Sequence, residues 1–273
     1  MKIFESCDLF KSCVRLKDEI DLIANEFNFM MDRIEVSYQR QKEFTAHASH
    51  ELRTPLTSIM GEADVALSIN RTAEEYKETL EIILDEAEKL DKKIKALLLI
   101  AQTGFDGRIQ KIDKVRIDQL LWDVIETLRR IDSRNNIYLD ISMLPDNPKK
   151  LKVQGNEQLL HLAVANIINN GCKYSNHQQV KVSLGATDTD LYIIVKDNGI
   201  GIPESEMNKI YDPFFRASNT RNYEGYGIGL PLARNIVRMH NGELLVSSHE
   251  NQGTTVQMRF PTIYGTQKEE TLS

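Results

Sequence analysis

The sequence predicts an all-α helical hairpin followed by an α+β two-layer sandwich, and two changes of texture carry that reading. Up to about residue 104 the apolar residues recur at steps of three and four. Beyond it they fall into short β-type runs separated by polar turns. A third observation is a pair of glycine clusters, one directly after an apolar run and one directly before a helical segment, where a backbone can approach a ligand closely.

In the helical half, Ile20, Ile23, Phe27, Met30 and Ile34 share one face, as do Leu52, Leu56, Ile59, Ala63 and Ala66 further on. Pro55 is expected to kink this second run because it cannot donate to the carbonyl of Glu51. Asn70-Arg71-Thr72 breaks the pattern. Thr72 followed three residues later by Glu75 is a capping box, so a new helix starts there. Tyr76, Leu80, Ile83, Ala87, Leu90, Ile94, Leu97 and Ala101 then alternate steps of four and three, a heptad seam. A lone hairpin leaves such a seam wet. Two hairpins related by a two-fold axis bury it as a four-helix bundle, so a homodimer is a physical expectation. Gly104-Phe105-Asp106-Gly107 closes the helical half.

After it, β-type runs appear at Ile137 to Ser142, Lys150 to Gln154, Val180 to Leu184, Leu191 to Lys196, Glu243 to Ser247 and Thr254 to Phe260, with helices expected at about 118–132, 157–170 and 227–240. Several strands in succession mixed with helices read as α+β. A polar tail follows Pro261.

The bulk properties narrow the function. The 273 residues suffice for two domains, and 41% hydrophobic with 27% charged residues is ordinary for a globular protein. A formal net charge of -6 offers no basic patch and argues against nucleic acid as a partner. The longest purely apolar run, Ala96 to Ala101, is far short of the about 20 residues that a membrane span needs. Glu5 and Asp8 interrupt what would be the core of a signal peptide, so a cytoplasmic location is expected. Cys7, Cys13 and Cys172 are an odd count without metal-ligand spacing, which fits a reducing compartment.

Asp197-Asn198-Gly199-Ile200-Gly201 follows the run Leu191 to Lys196, and Gly225-Tyr226-Gly227-Ile228-Gly229-Leu230 precedes a helix. Either alone reads equally well as a plain turn. No strand leads into the second, so it is not a dinucleotide fingerprint, and it lacks the Gly-Lys-Ser/Thr of a Walker loop. The loop of about 25 residues between them is long enough for a lid, with Phe214 and Phe215 as its apolar anchors. In Asn166-Ile167-Ile168-Asn169-Asn170-Gly171-Cys172-Lys173-Tyr174-Ser175, Asn166 and Asn170 share a helical face. Inward-facing amides are costly unless they bind something; an amide oxygen suits Mg²⁺, and Lys173 suits a phosphate. In His47-Ala48-Ser49-His50-Glu51-Leu52-Arg53-Thr54-Pro55 a solvated polar face is the plainest reading of a lone histidine. Zinc fits poorly, since no second histidine follows Glu51 at the zincin spacing. A nucleophile fits better: His50 and Thr54 share a face, and a carboxylate beside the imidazole fixes its tautomer and leaves the other nitrogen free to attack.

These stretches resemble the motifs of two-component sensor histidine kinases. Phe44 to Thr57 is similar to their H-box, Asn166 to Ser175 to the N-box, Asp197 to Ile202 to the G1 box, Asp212-Pro213-Phe214-Phe215-Arg216 to the F box and Gly225 to Leu230 to the G2 box. Gly253-Thr254-Thr255 resembles the last glycine motif, and Asp18-Glu19-Ile20 through Arg33 resembles the second helix of a HAMP relay. The resemblance implies a relay helix over residues 1–36, a dimerisation and histidine phosphotransfer domain over 37–106, an ATP-binding domain of the Bergerat or GHKL fold over 107–264 and a disordered tail over 265–273. It implies that His50 accepts a phosphoryl group from ATP, that Glu51 is its acid–base partner, and that Thr54 positions water in a reverse, phosphatase reaction. It further implies that Asn170 ligates Mg²⁺ beside Asn166, that Lys173 and Tyr174 contact the nucleotide, and that Asp197 accepts from the adenine amino group. Gly199 and Gly201 would belong to the same wall, with Gly225, Gly227, Gly229 and Leu230 lining the phosphates, Arg216 near the γ-phosphate and Thr254 at the adenine end. The implied partners are a second copy of the chain and the receiver domain of a response regulator. A full-length relative would be membrane-anchored, at the inner face of the membrane. Two positions depart from the family pattern: Gly171, where Ala is frequent, and Tyr226, where Thr is frequent.

ATP-driven clamps share such a pocket but carry a glutamate base where this chain has Asn166. A serine kinase of the anti-sigma type lacks the Ser49 to Leu56 motif. The intact set of His50, Asn170, Asp197 and glycines argues against a non-catalytic scaffold.

Overall fold

The computed structural model describes residues 3–105 and 112–263, the side chains of residues 3–25 and of some further helical residues excepted. The expected disordered tail, the Asp106-Gly107 end of the helical half and most side chains of the expected relay helix lie outside the described residues. The chain divides after Thr57 into two units.

The first unit is the greater part of helix α1 (Ile3–Ser68), which runs unbroken across the domain boundary expected at 36/37. It also continues through Pro55, which is buried. A proline removes a single i→i−4 hydrogen bond, too little to end so long a helix.

The second unit opens with the last turns of α1 and the helix α2 (Ala73–Phe105). The capping box forms as the sequence predicts. The Thr72 N–H donates to Glu75 Oε2 at 2.7 Å, and the Glu75 N–H donates to Thr72 Oγ1 at 3.2 Å. The backbone and hydroxyl of Thr72 hold the Glu75 carboxyl below its ordinary range. Arg71 donates to Thr79 Oγ1 at 2.9 Å. Leu80, Leu84 and Ile94 stand exposed on α2, while Leu97 is buried.

The α+β part has a five-stranded sheet with helices on one face. Its strands are β2 (Ile137–Asp140), β4 (Val180–Ala186), β5 (Asp190–Lys196), β6 (Glu243–His249) and β7 (Gly253–Pro261), in the order β2-β4-β5-β7-β6. β2 runs parallel to β4 and every other pairing is antiparallel. A separate antiparallel pair joins β1 (Asp113–Arg116) to β3 (Lys152–Gly155). The helices are α3 (Ile117–Ile131), α4 (Glu157–Tyr174) and α5 (Gly229–Met239). Leu191, Ile193 and Val195 alternate inward along β5 and meet Leu121, Val124, Leu160, Ile168, Ile236, Met258 and Phe260 in one core. Each such side chain contributes about 1.5–3 kcal/mol by leaving water.

The structure differs from the sequence expectation in three places that matter. β1 is additional; of its four residues Val115 alone is buried, and its partner lies far along the chain. α4 extends to Tyr174 rather than ending at 170, which puts Lys173 and Tyr174 on the helix. α5 begins at Gly229, which leaves Gly225 and Gly227 in the loop before it.

Two buried groups mark the ends of these helices. His240 follows α5: its Nδ1–H donates to Ile236 O at 2.6 Å and its Nε2 accepts the Asn156 N–H, at the head of α4, at 3.0 Å. Burial pushes the pKa of this ring down. Cys172 is buried near the end of α4, where burial pushes its thiol up to about 11.

Candidate functional site

A cavity of about 780 Å³ opens in the second unit between α2, α4, α5 and the ends of β5 and β7. It is large enough for a nucleotide. Of the residues assigned to ATP from the sequence, Asn166, Asn170, Lys173, Tyr174, Asp197, Gly201, Arg216, Gly225, Gly227, Gly229, Leu230 and Thr254 line it.

Gly199 does not. A Cβ there would lie 2.4 Å from the Tyr174 carbonyl oxygen, and its own N–H donates to Asp197 Oδ1 at 2.8 Å. Gly199 therefore works behind the wall, letting the strand end close on the end of α4. Asp197 itself is 7% exposed. Its Oδ1 also accepts the Thr254 N–H at 3.2 Å, while Oδ2 has no hydrogen-bond partner among the described residues. Burial raises the Asp197 pKa, and the N–H groups of Gly199 and Thr254 partly offset this. The result is a fixed carboxylate with one oxygen available to a donor in the cavity.

Ser248 backs this corner, a role absent from the sequence reading. Its Oγ accepts the Ile202 N–H at 2.9 Å, donates to Gly253 O at 2.9 Å and lies 2.9 Å from Thr254 Oγ1. A serine on a strand carries no sequence signal for such a role, because all its partners are distant or across a turn.

The loop between the glycine clusters folds over the cavity. Arg216 donates to Thr220 O at 2.6 Å and to Tyr223 O, so its guanidinium fastens the loop rather than standing free for a phosphate. Lys173 donates to Glu224 O and lies 4.1 Å from the Tyr174 ring centroid. The Tyr174 and Tyr223 rings meet edge to face at 5.3 Å. The Phe214 N–H donates to Gly227 O at 3.0 Å. A Cβ at Gly227 would fall 2.3 Å from Phe215 O, and its φ of +68° also favours glycine. The Asn219 amide donates to Gly201 O at 3.0 Å. The expected apolar anchors Phe214 and Phe215 are half-buried.

Asn166 and Asn170 face the cavity from α4 one turn apart. Among the described residues no group of three or more His, Cys, Asp or Glu could hold a metal. Two hard amide oxygens beside a phosphate-sized space fit Mg²⁺, which takes few protein ligands when phosphates supply the rest.

His50, Glu51 and Thr54 belong to the first unit. The His50 side chain is 78% exposed, and Nδ1 lies 3.9 Å from Glu51 Oε1. That is ion-pair range but too long for the hydrogen bond expected from the sequence. Adjacent residues on a helix point in different directions, which accounts for the gap. Thr54 Oγ1 donates to His50 O at 3.3 Å, one turn back.

Residues 40–104 match the family model of the His Kinase A (phospho-acceptor) domain, and residues 155–263 match that of the histidine kinase-, DNA gyrase B- and HSP90-like ATPases. The signal transduction histidine-protein kinase ArlS of Staphylococcus aureus (strain USA300) is 31% identical over 251 residues, 89% of this chain and 54% of that protein. The probable sensor kinase SilS of Salmonella typhimurium is 29% identical over 248 residues, 89% of this chain and 50% of that protein. The chain thus spans about half the length of the curated relatives it matches. The histidine kinase ThkA, solved in complex with the response regulator protein TrrA, superposes with a TM-score of 0.61 at 20% identity, over 81% of this chain and 62% of that one, a likeness of fold.

Proposed function

This chain belongs to the two-component sensor histidine kinases, and on that footing we propose that it uses ATP to phosphorylate His50 and passes the phosphoryl group to an aspartate of a response regulator. The observation that carries the reading is the cavity, which gathers the N-box amides, Asp197 and the glycine loop around one space.

Nucleotide selection falls to Asp197. Its free Oδ2 would accept the adenine amino group, while the Gly199 and Thr254 N–H groups prevent the carboxylate from turning away. The Gly225 to Gly229 backbone and the start of α5 offer N–H groups and positive partial charge to the phosphates. Asn170, with Asn166 beside it, would hold Mg²⁺, which when bound neutralises phosphate charge. Lys173 would exchange Glu224 O for a phosphate oxygen as the loop rearranges.

At His50 the nitrogen facing Glu51 is Nδ1, which leaves Nε2 as the nucleophile. Its lone pair forms the P–N bond as the bond from the γ-phosphorus to the bridging oxygen breaks and ADP leaves. Glu51 takes the Nδ1 proton, directly after a small side-chain movement or through one water. Most of the acceleration would come from alignment and charge neutralisation. In the second step the aspartate of the regulator attacks the same phosphorus as the P–N bond breaks, and the proton held by Glu51 returns to Nδ1, so that neutral histidine leaves. Thr54, one turn from His50, would orient water for the phosphatase reaction on that regulator.

The exposed apolar residues Leu80, Leu84 and Ile94 support pairing with a second copy through α2. ThkA, crystallised with TrrA, supports a receiver-domain partner. No helix among the described residues is long and apolar enough to cross a membrane, and we assign the chain to the cytoplasmic side, at the inner membrane face in a longer protein. Domains of 37–106 and 107–264 are the division that fits these roles.

Incubation with γ-labelled ATP tests the reading. Acid-labile, base-stable label on wild type that is absent from His50→Gln supports it; steady ATP hydrolysis without label overturns it in favour of an ATP-driven clamp.

A further inference from the structure

The cationic side chains that line the cavity are Lys92, Lys95, Lys173 and Arg216. Lys95 pairs with Asp91 at 2.6 Å. Lys173 and Arg216 are engaged by carbonyls of the loop. Lys92 has no hydrogen-bond or ion-pair partner among the described residues. It comes from α2, outside the region that matches the ATPase family model and inside the phospho-acceptor match.

Lys92 comes from a helix that packs against the element at the phosphate side of the proposed site. α2 packs on α5, which starts at Gly229, and Lys93 Nζ lies 5.1 Å from the ring centroid of Tyr226, between Gly225 and Gly227. Lys92, Lys95 and Leu99 follow one another at i, i+3 and i+7, so one face of α2 forms part of the cavity wall. Asp197 and Thr254 lie at the ends of β5 and β7. An unpaired ammonium in the wall of a cavity that also holds the glycine loop and the start of α5 adds to a field that attracts polyphosphate.

We propose that Lys92 is a nucleotide-binding residue that contacts the polyphosphate and thereby ties bound ATP to α2. The proposal rests on the reading of this cavity as the nucleotide site. It makes the site a composite of the ATP-binding fold and the helix whose heptad seam pairs in the dimer. Because the ammonium meets phosphate and not base, its contribution rises with phosphate number and falls with salt.

Titration calorimetry on the whole chain tests it, with a non-hydrolysable ATP analogue, ADP and adenosine as probes. Lys92→Gln weakens the analogue about tenfold, as loss of one charged hydrogen bond does, weakens ADP less and leaves adenosine unchanged. Lys92→Arg restores the analogue to within a few-fold, and Lys77→Gln, an exposed lysine elsewhere on α2, changes nothing. If Lys92→Gln binds the analogue within twofold of wild type, or loses all three probes equally, the assignment of Lys92 falls while the nucleotide site stands. If wild type binds none of the probes, both fall.

Discussion

Asp197 takes the backbone N–H of Gly199 on Oδ1 at 2.8 Å, which aims its other oxygen at the cavity. In the proposed nucleotide site, base recognition would depend on this carboxylate, held by backbone N–H groups from both sides.

Asp197→Asn keeps an oxygen for the two N–H groups but turns an amide donor toward the adenine amino group. Affinity for ATP is expected to fall at least tenfold, read by titration calorimetry. Stability is expected to hold. A carboxyl whose folded pKa lies above its unfolded value binds protons more tightly when folded, so its ionised form at neutral pH is a cost that the amide avoids. A melting temperature equal to or above wild type, together with weakened binding, is the expected pair of results; unchanged ATP affinity would refute the role.

His240 gives the α+β unit an acid sensitivity. Its folded pKa is depressed, so the neutral ring stabilises the fold above the ordinary histidine value of about 6.5, and this is lost as the pH falls through the folded pKa. Protonation would oppose the Asn156 N–H directly. Urea midpoints should decline as the pH drops below about 6.5. His240→Ala, which orphans that N–H and opens a void, should cost about 3 kcal/mol at neutral pH and flatten the profile.

Thr72→Ala removes the N-cap of α2 and should cost about 1 kcal/mol of stability. Glu75 titrates in the same box. Its pKa is lowered in the fold, so its contribution is present above the ordinary carboxylate value and disappears as the pH falls through the folded pKa. The helix signal by circular dichroism should therefore decline less on acidification in Thr72→Ala than in wild type.

Thr54→Ala breaks one long, exposed hydrogen bond to His50 O and should leave stability and autophosphorylation within about twofold. Dephosphorylation of a labelled regulator should slow at least tenfold. Equal loss of kinase and phosphatase rates would mean that Thr54 shapes the helix rather than the water.

Local chemistry is legible in the sequence, and distant chemistry is not. Thr72 and Glu75 announce their hydrogen bonds because both partners lie within one turn. Asp197 is visible as an acid at the end of an apolar strand, and it lines the cavity. β1 is invisible because Val115 alone supplies an apolar signal and its pairing to Val153 is long-range. The spacing that reveals a heptad seam on α2 also hides Lys92, since lysines flanking such a seam read as solvated until a neighbour is placed over them. For His50 and Glu51 the difference is geometric: neighbours in sequence are not neighbours in direction on a helix.

The buried Cys172 offers a clock. With its side chain buried and its thiol pushed up to about 11, Cys172 reacts poorly in the closed fold. In a chain with Cys7 and Cys13 replaced by serine, alkylation by iodoacetamide then proceeds through opening of the end of α4. Any ligand that binds the closed form slows it by the factor 1 + [L]/Kd. The rate at which a single sulfur is capped becomes a reagent-based titration of the neighbouring cavity, independent of any phosphoryl transfer.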